Sequence, residues 1–240
     1  MLAELLLARQ PCVALTGAGV STESGIPDFR SAGGIWAQYD PQEVASIEGF
    51  RRDPQRVWEF YARRLDVLGN AEPNAAHTAL AQLERARLLD GVVTQNVDGL
   101  HQRAGSENVI EVHGSIRSAS CSSCRRRVGA QGLTALRPLP RCAACGAVLK
   151  PDVVMFGELL PQTVFAQASA LVRRAGLLLV VGSSLEVWPV AGLPREVLAR
   201  GGTLAIVNRD PTPYDDDAAV GIRSSAAAVL REAARLALAA

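Results

Sequence analysis

Short, largely apolar runs punctuate this chain at Cys12–Thr16, Gly91–Thr94, Val109–Val112, Leu177–Val181 and Thr203–Val207, each bounded by a glycine or a polar turn. A strand with one wet face alternates polar and apolar residues, so an unbroken apolar run fits a strand buried on both sides. Segments of helical spacing lie between these runs. Ala75–Leu88 begins behind Asn74 as a cap, Val164–Arg174 carries apolar positions one turn apart, and Leu193–Arg200 takes Pro194 in its first turn and stops before Gly201 and Gly202. Strand and helix in alternation predict an α/β fold, a Rossmann-like doubly wound parallel sheet.

Two stretches break the rhythm. Residues 35–71 are rich in arginine, aspartate and aromatic residues without a strand signal and read as a helical insertion. Residues 116–149 hold four cysteines in what read as short polar turns. The expected organisation is a discontinuous Rossmann-like domain from 1–34, 72–115 and 150–240, with a smaller domain made of the two insertions. Ligands on such sheets bind beyond the carboxyl ends of the strands, where a cleft between the two domains would lie.

Composition narrows the possible partners. The 240 residues are 48% hydrophobic, enough for a sizeable core. A formal net charge of +1 gives no global case for nucleic acid or an anionic membrane. Of the 25 basic residues only Lys150 is a lysine. Met1–Gln10 lacks the features of a secretion signal, and no apolar run approaches a membrane span, so a cytoplasmic protein is expected. Cys12, inside an apolar run, reads as a small buried hydrophobe.

Cys121 with Cys124, and Cys142 with Cys145, form two Cys-x-x-Cys pairs separated by 17 residues. That spacing suits four thiolates around one tetrahedral zinc ion, a closed shell with no position left for a reactive water and therefore structural. Two disulfides or a redox pair are the alternatives, the latter kept open by Arg125, Arg126 and Arg127, which can lower a neighbouring thiol's pKa.

After the first apolar run comes Gly17-Ala18-Gly19, where glycines allow a tight turn and let main-chain N–H groups approach a pyrophosphate at the start of a helix. Thr22 replaces the third glycine of the dinucleotide fingerprint, and no ribose-binding acid follows a second strand, which disfavours an ordinary dehydrogenase. The continuation is more specific. Gly17 through Ser24-Gly25-Ile26-Pro27-Asp28-Phe29-Arg30, then Thr94-Gln95-Asn96-Val97-Asp98-Gly99-Leu100-His101, then Val112-His113-Gly114, resemble the sirtuins, the NAD-dependent protein-lysine deacylases. Pro151-Asp152-Val153-Val154-Met155-Phe156-Gly157-Glu158, Gly182-Ser183-Ser184-Leu185 and Val207-Asn208 continue the resemblance in order.

The resemblance implies roles. His113 would be the general base, a group that titrates near neutral pH; His77 and His101 receive no catalytic role and read as capping or packing residues. Gly17, Ala18 and Gly19 would meet the NAD phosphates. Asp98, with main chain near Ile26, would bind the nicotinamide carboxamide, Gln95 and Asn96 the adjoining ribose, and Ser24 would line the same pocket. Asp28, Phe29 and Arg30 would form a loop closing over NAD beside Trp36. Gly182, Ser183, Ser184, Asn208 and Ala226 would take the adenosine end. An acylated peptide would add as a strand between Phe156-Gly157-Glu158 and Leu185-Glu186-Val187, with Val154 nearby. The acyl oxygen would displace nicotinamide from NAD, a co-substrate, and the products would be free lysine and O-acyl-ADP-ribose.

The helical insertion refines the substrate. Tyr61 and Arg64 share a helix face at i, i+3, and an arginine fork beside a phenol can bind a carboxylate at the end of an acyl chain. With small residues at Ala32 and Gly33, this resembles the sirtuin subgroup that removes succinyl and malonyl groups, and activity on both acetyl and acidic acyl groups is expected. The partners would be acylated-lysine proteins or peptides, with no membrane, no direct nucleic acid, and a monomeric chain. Competing readings are deacetylation alone, protein ADP-ribosylation from the same NAD site, and a zinc-ribbon module contacting nucleic acid through Arg125–Arg127 and Arg137–Arg141.

Overall fold

A computed structural model describes residues 1–240, the side chain of Thr134 excepted. In chain order its elements are α1 (Leu2–Ala8), β1 (Cys12–Thr16), α2 (Pro41–Val44), α3 (Ile47–Arg52), α4 (Pro54–Asn70), α5 (Ala75–Arg85), β2 (Gly91–Thr94), α6 (Leu100–Arg103), β3 (Val109–Glu111) and β4 (Gly114–Cys121). There follow β5 (Arg127–Gly129), α7 (Ala130–Ala135), β6 (Leu149–Val153), α8 (Gln162–Arg173), β7 (Leu177–Val181), α9 (Leu193–Leu198), β8 (Thr203–Val207), β9 (Val220–Ile222) and α10 (Ala226–Ala237).

Six strands form one parallel sheet in the order β3-β2-β1-β7-β8-β9. Alternate residues of the four inner strands, β2, β1, β7 and β8, feed opposite cores, which is why those runs are largely apolar. Cys12, Ala14, Val92, Leu177, Leu179 and Ala205 pack with α1, α5 and α10. Val13, Leu15, Val93, Leu178, Val180 and Leu204 pack with α8 and α9 on the other face. Connections from β1 run toward β2 and those from β7 toward β8, so the chain reverses direction across the β1/β7 junction, the place where such a sheet opens a crevice.

A third core belongs to the insertions. The 17-residue α4 starts at an Asp53 cap with Pro54 in its first turn and turns Val57, Trp58, Phe60, Tyr61 and Leu68 inward. They pack with Ile116, Ala119, Leu133, Leu149 and Val153 of the second insertion. Trp58 Nε1 donates to the Leu149 carbonyl at 2.7 Å, and Arg137 grips both carboxylate oxygens of Asp66 at 2.8 and 3.0 Å.

The cysteine pairs do sit in short turns, residues 122–124 and 143–145, and these turns are carried by a three-stranded antiparallel sheet that was not expected, β5-β4-β6, reaching from Gly114 to Val153. Serine and alanine at Ser115, Ser118 and Ala119, buried positions of β4, kept that strand below the threshold of an apolar pattern. The helix expected after Gly17 is present as a 3₁₀ helix, Ala18–Ser24. No helix among the described residues is long and apolar enough to cross a membrane.

Candidate active site

A cavity of about 330 Å³ opens at the β1/β7 junction, between the parallel sheet and the insertions. Its back wall is main chain. Gly17 N–H donates to the Val181 carbonyl and Gly19 N–H to that of Gly182, at 3.1 and 2.8 Å. A Cβ on Gly17 would stand 2.8 Å from the Gly182 oxygen, and one on Gly19 would stand 2.7 Å from the Gly182 Cα. Glycine is required here by the approach of two loops as well as by any ligand.

Beneath the cavity lies a buried polar network that joins residues far apart in sequence. Ser21 Oγ donates to Asp98 Oδ2 at 2.8 Å and accepts from Asn96 Nδ2 at 3.0 Å. His77 Nδ1 accepts the Asn74 N–H at 3.3 Å, which places its proton on Nε2, 3.3 Å from Ser21 Oγ. Asp98 Oδ1 accepts the Leu100 N–H at 2.9 Å. Thr16 Oγ1 gives its proton to Thr94 at 2.8 Å, so His101 Nε2, 2.9 Å away, donates to Thr16. Burial lowers the pKa of His77 to about 4 and that of His101 to about 3, so both rings are neutral at pH 7.

His113 stands between β3 and β4, its carbonyl accepting the Val154 N–H at 2.8 Å. Gly114, at φ +75° with its Cβ direction blocked by the Asp152 oxygen, fixes the turn that presents it. Nδ1 lies 3.1 Å from the Gln95 carbonyl, which can only accept, so the proton is on Nδ1 and Nε2 keeps a free lone pair. Burial lowers the pKa of His113 below its usual value. A neutral imidazole with its basic nitrogen unencumbered is what a general base requires. Gln95 Nε2 in turn donates to Ser183 Oγ at 2.8 Å.

Aromatic residues close the outer side. Phe29 and Trp36 lie 5.0 Å apart by ring centroid, and Trp36 stands 6.3 Å from both Phe60 and Phe156. The loop carrying Phe29 is held by Asp28, whose carboxylate accepts the N–H groups of Arg30 and Ser31. Arg64 places its guanidinium 5.0 Å from the centre of the Phe29 ring and 5.8 Å from that of Phe60. It has no carboxylate within ion-pair distance among the described residues. Burial lowers its pKa and raises that of Tyr61.

The cavity gathers most of the residues named from sequence: Gly17, Ala18, Gly19, Ile26, Asp28, Phe29, Arg30, Trp36, Gln95, Asn96, Asp98, His113, Gly182, Ser183, Ser184 and Asn208, together with Tyr61, Arg64, Val154, Phe156, Gly157, Glu158 and Val187. Four others stand outside its lining. Ser24 faces Asn74, whose Nδ2 donates to it at 3.0 Å; Ala32 is exposed on the loop; Leu185 is buried in the sheet core; and Ala226, the first residue of α10, is buried in the core on the opposite face. Ser21, Trp188 and Asp210 line the cavity without a signal that singled them out. For Ser21 the only available sign was its place one turn beyond the glycines.

The four cysteines converge elsewhere, and none of them lines the cavity. Their sulfurs lie within 4.8 Å of one another, with Cys121 and Cys145 at 3.5 Å and Cys124 and Cys142 at 3.4 Å. A tetrahedron of thiolates at about 2.3 Å from zinc has edges of about 3.8 Å, so the cluster fits that ion. No disulfide joins them. The two knuckles match: the residue after the second cysteine of each pair, Arg125 or Gly146, has φ of +62° or +74°. The arginines proposed for nucleic acid are largely engaged internally, Arg127 with Asp152, Arg137 with Asp66, and Arg141 with the Gly146 carbonyl.

Comparison with known proteins agrees with this geometry. Residues 17–189 match the Sir2 family. The chain is 47% identical over 223 residues to NAD-dependent protein deacylase 1 of Archaeoglobus fulgidus, covering 93% of this chain and 91% of that protein. It is 48% identical over 225 residues to the NAD-dependent protein deacetylase of Sulfolobus acidocaldarius, covering 92% and 88%. Among solved structures, a Sir2–p53 peptide–NAD⁺ complex superimposes with a TM-score of 0.90 at 38% identity, covering 99% of this chain and 97% of that one.

Proposed function

The chain belongs to the Sir2 family of NAD-dependent protein deacylases and deacetylases, and from that premise we propose that it removes succinyl and malonyl groups as well as acetyl groups from protein lysines. NAD is the co-substrate, and the four cysteines suit a structural zinc. In this reading His113 Nε2 accepts a proton from a ribose hydroxyl. Asp98 and Asn96, held by Ser21, orient the nicotinamide end. The ring of Phe29 keeps water from the reacting carbon.

Arg64 is the observation that carries the acyl preference. Its guanidinium lines the cavity, stripped of much of its water, with aromatic faces beside it and no carboxylate of its own. Tyr61, also in the lining, adds a hydroxyl without a protein partner among the described residues. Arg64 is half-buried and feels the charge of Asp98 only from beyond ion-pair distance, so an acyl chain ending in a carboxylate adds a close counter-charge through a two-pronged contact. An acetyl group supplies nothing to it. The peptide main chain would add as a strand at Gly157, whose N–H and C=O have no hydrogen-bond partner among the described residues, opposite Glu186 and Val187.

The test compares acetyl, malonyl and succinyl forms of one peptide on wild type and Arg64→Met, with nicotinamide release as the readout. Losing charge-assisted hydrogen bonds worth about 3 kcal/mol lowers kcat/KM for the acidic acyl groups about 150-fold, with acetyl turnover within about threefold. Equal losses on all three peptides would make Arg64 a structural residue and leave a plain deacetylase. Transfer of ADP-ribose to protein without O-acyl-ADP-ribose would replace the deacylase reading altogether.

A further inference from the structure

The one lysine among 24 arginines occupies a position where the two side chains are not equivalent. Lys150 Nζ donates to the carbonyls of Pro151 and Val153 at 3.2 and 2.8 Å and lies 2.9 Å from Glu158 Oε2. Three acceptors thus meet the three donors of an ammonium. A longer, planar guanidinium cannot place its donors about the same point. Both partners are largely shielded, with 21% of the lysine and 26% of the glutamate side chain exposed.

Glu158 passes the restraint on. The same Oε2 accepts the Met155 N–H at 2.9 Å, and the Glu158 N–H returns to the Met155 carbonyl at 3.0 Å. These bonds close Met155–Glu158 into a turn with Gly157 at φ +85°. The turn is anchored again from the helical insertion, where the Phe156 N–H donates to Ala45 and its carbonyl accepts from Ile47, both at 2.9 Å. All four residues of the turn line the cavity, whereas Lys150 does not. Lys150 therefore joins β6, a strand of the cysteine-bearing sheet, to the wall that offers free main-chain groups at Gly157.

We infer that Lys150 is a positioning residue for the acylated peptide: through Glu158 it holds the Gly157 main chain in the orientation that pairs with a substrate strand, without touching NAD or the reacting atoms. The inference rests on the peptide-strand reading given above. Substrate affinity is set here by an ion pair behind the binding surface.

Steady-state kinetics on Lys150→Arg, Lys150→Gln and Glu158→Gln would test it, with an acetyl-lysine peptide and a single Nα-blocked acetyl-lysine as paired substrates. Each variant should raise the peptide KM about tenfold, equivalent to about 1.4 kcal/mol. In the two Lys150 variants the KM for NAD and turnover of the single blocked residue should stay within about twofold. The double variant should be no worse than either single one, because one interaction is removed once. If wild type handles both substrates equally, the strand reading itself fails. If wild type prefers the peptide and the variants do so equally, Lys150 has no positioning role. Parallel losses on the peptide, the single residue and NAD, with a lowered melting temperature, would also overturn the inference; Lys150→Arg, which keeps the charge, separates geometry from a folding defect.

Discussion

Two serines three residues apart, Ser21 and Ser24, make opposite predictions. Ser21 Oγ is the meeting point of Asp98, Asn96 and His77, at 2.8, 3.0 and 3.3 Å. Ser21→Ala strands a carboxylate oxygen, an amide nitrogen and an imidazole N–H, all buried. A stranded buried polar group costs about 1–3 kcal/mol. The histidine contact is long and Asp98 keeps a second bond, from Leu100, so a total of about 3 kcal/mol is appropriate. For a chain of this size that lowers the melting temperature by about 6–12 °C. Ser24→Ala removes one acceptor from Asn74 Nδ2, which retains the Val20 carbonyl at 2.8 Å; the cost is below about 1 kcal/mol and the shift at most about 2–4 °C. Thermal unfolding and nicotinamide release on an acetyl-lysine peptide should be measured on both. Ser21→Ala should lose about 100-fold in kcat/KM, as Asp98 and Asn96 are released from their bonded positions, and Ser24→Ala no more than about threefold. Equal effects of the two substitutions, or a larger effect at Ser24, would refute the assignment of the network.

The buried histidines make stability depend on pH. Unfolded, each takes up its proton near pH 6.5, whereas burial holds folded His77 neutral to about 4 and His101 to about 3. The unfolded chain then binds more protons as pH falls below 6.5, so stability is full above that value and declines toward pH 4; His101→Gln should show a shallower acid limb of melting temperature against pH, and an unchanged limb would contradict it. Removing zinc leaves four sulfurs within 4.8 Å with nothing to hold them together, so a chelated sample should show exchange of β4–β6 amides rising well before that of the parallel sheet. Uniform protection with and without chelator would show the cluster to be dispensable.

The parallel strands were legible because burial on both faces leaves an unbroken apolar run, as at Leu177–Val181. The sheet under the cysteines was not, because Ser115, Ser118, Ala119 and Ser120 of β4 carry little hydrophobic signal. β9 has only three residues, too few for a period to register. At the site, residues within motifs such as Gln95, Asn96, Asp98 and His113 were readable by position. His77 caps its helix beside Asn74 and His101 is buried, in line with their reading as capping or packing residues, but the contacts that join them and Ser21 into one network span 56 to 85 residues of chain, and spacing along a sequence holds no record of such contacts. The same is true of Arg64, whose lack of a carboxylate partner emerges only once the chain is folded.

A deacylase that consumes one NAD for each lysine it clears can itself undergo lysine acylation only where it has lysines to accept it. These 240 residues offer that chemistry a single lysine side chain, and its ammonium is already committed to two carbonyls and a carboxylate. Arginine does the remaining work of positive charge, and a guanidinium, protonated at any physiological pH, is a poor target for acylation. Lysine acylation of this chain is thereby confined to one side chain, and that one is engaged.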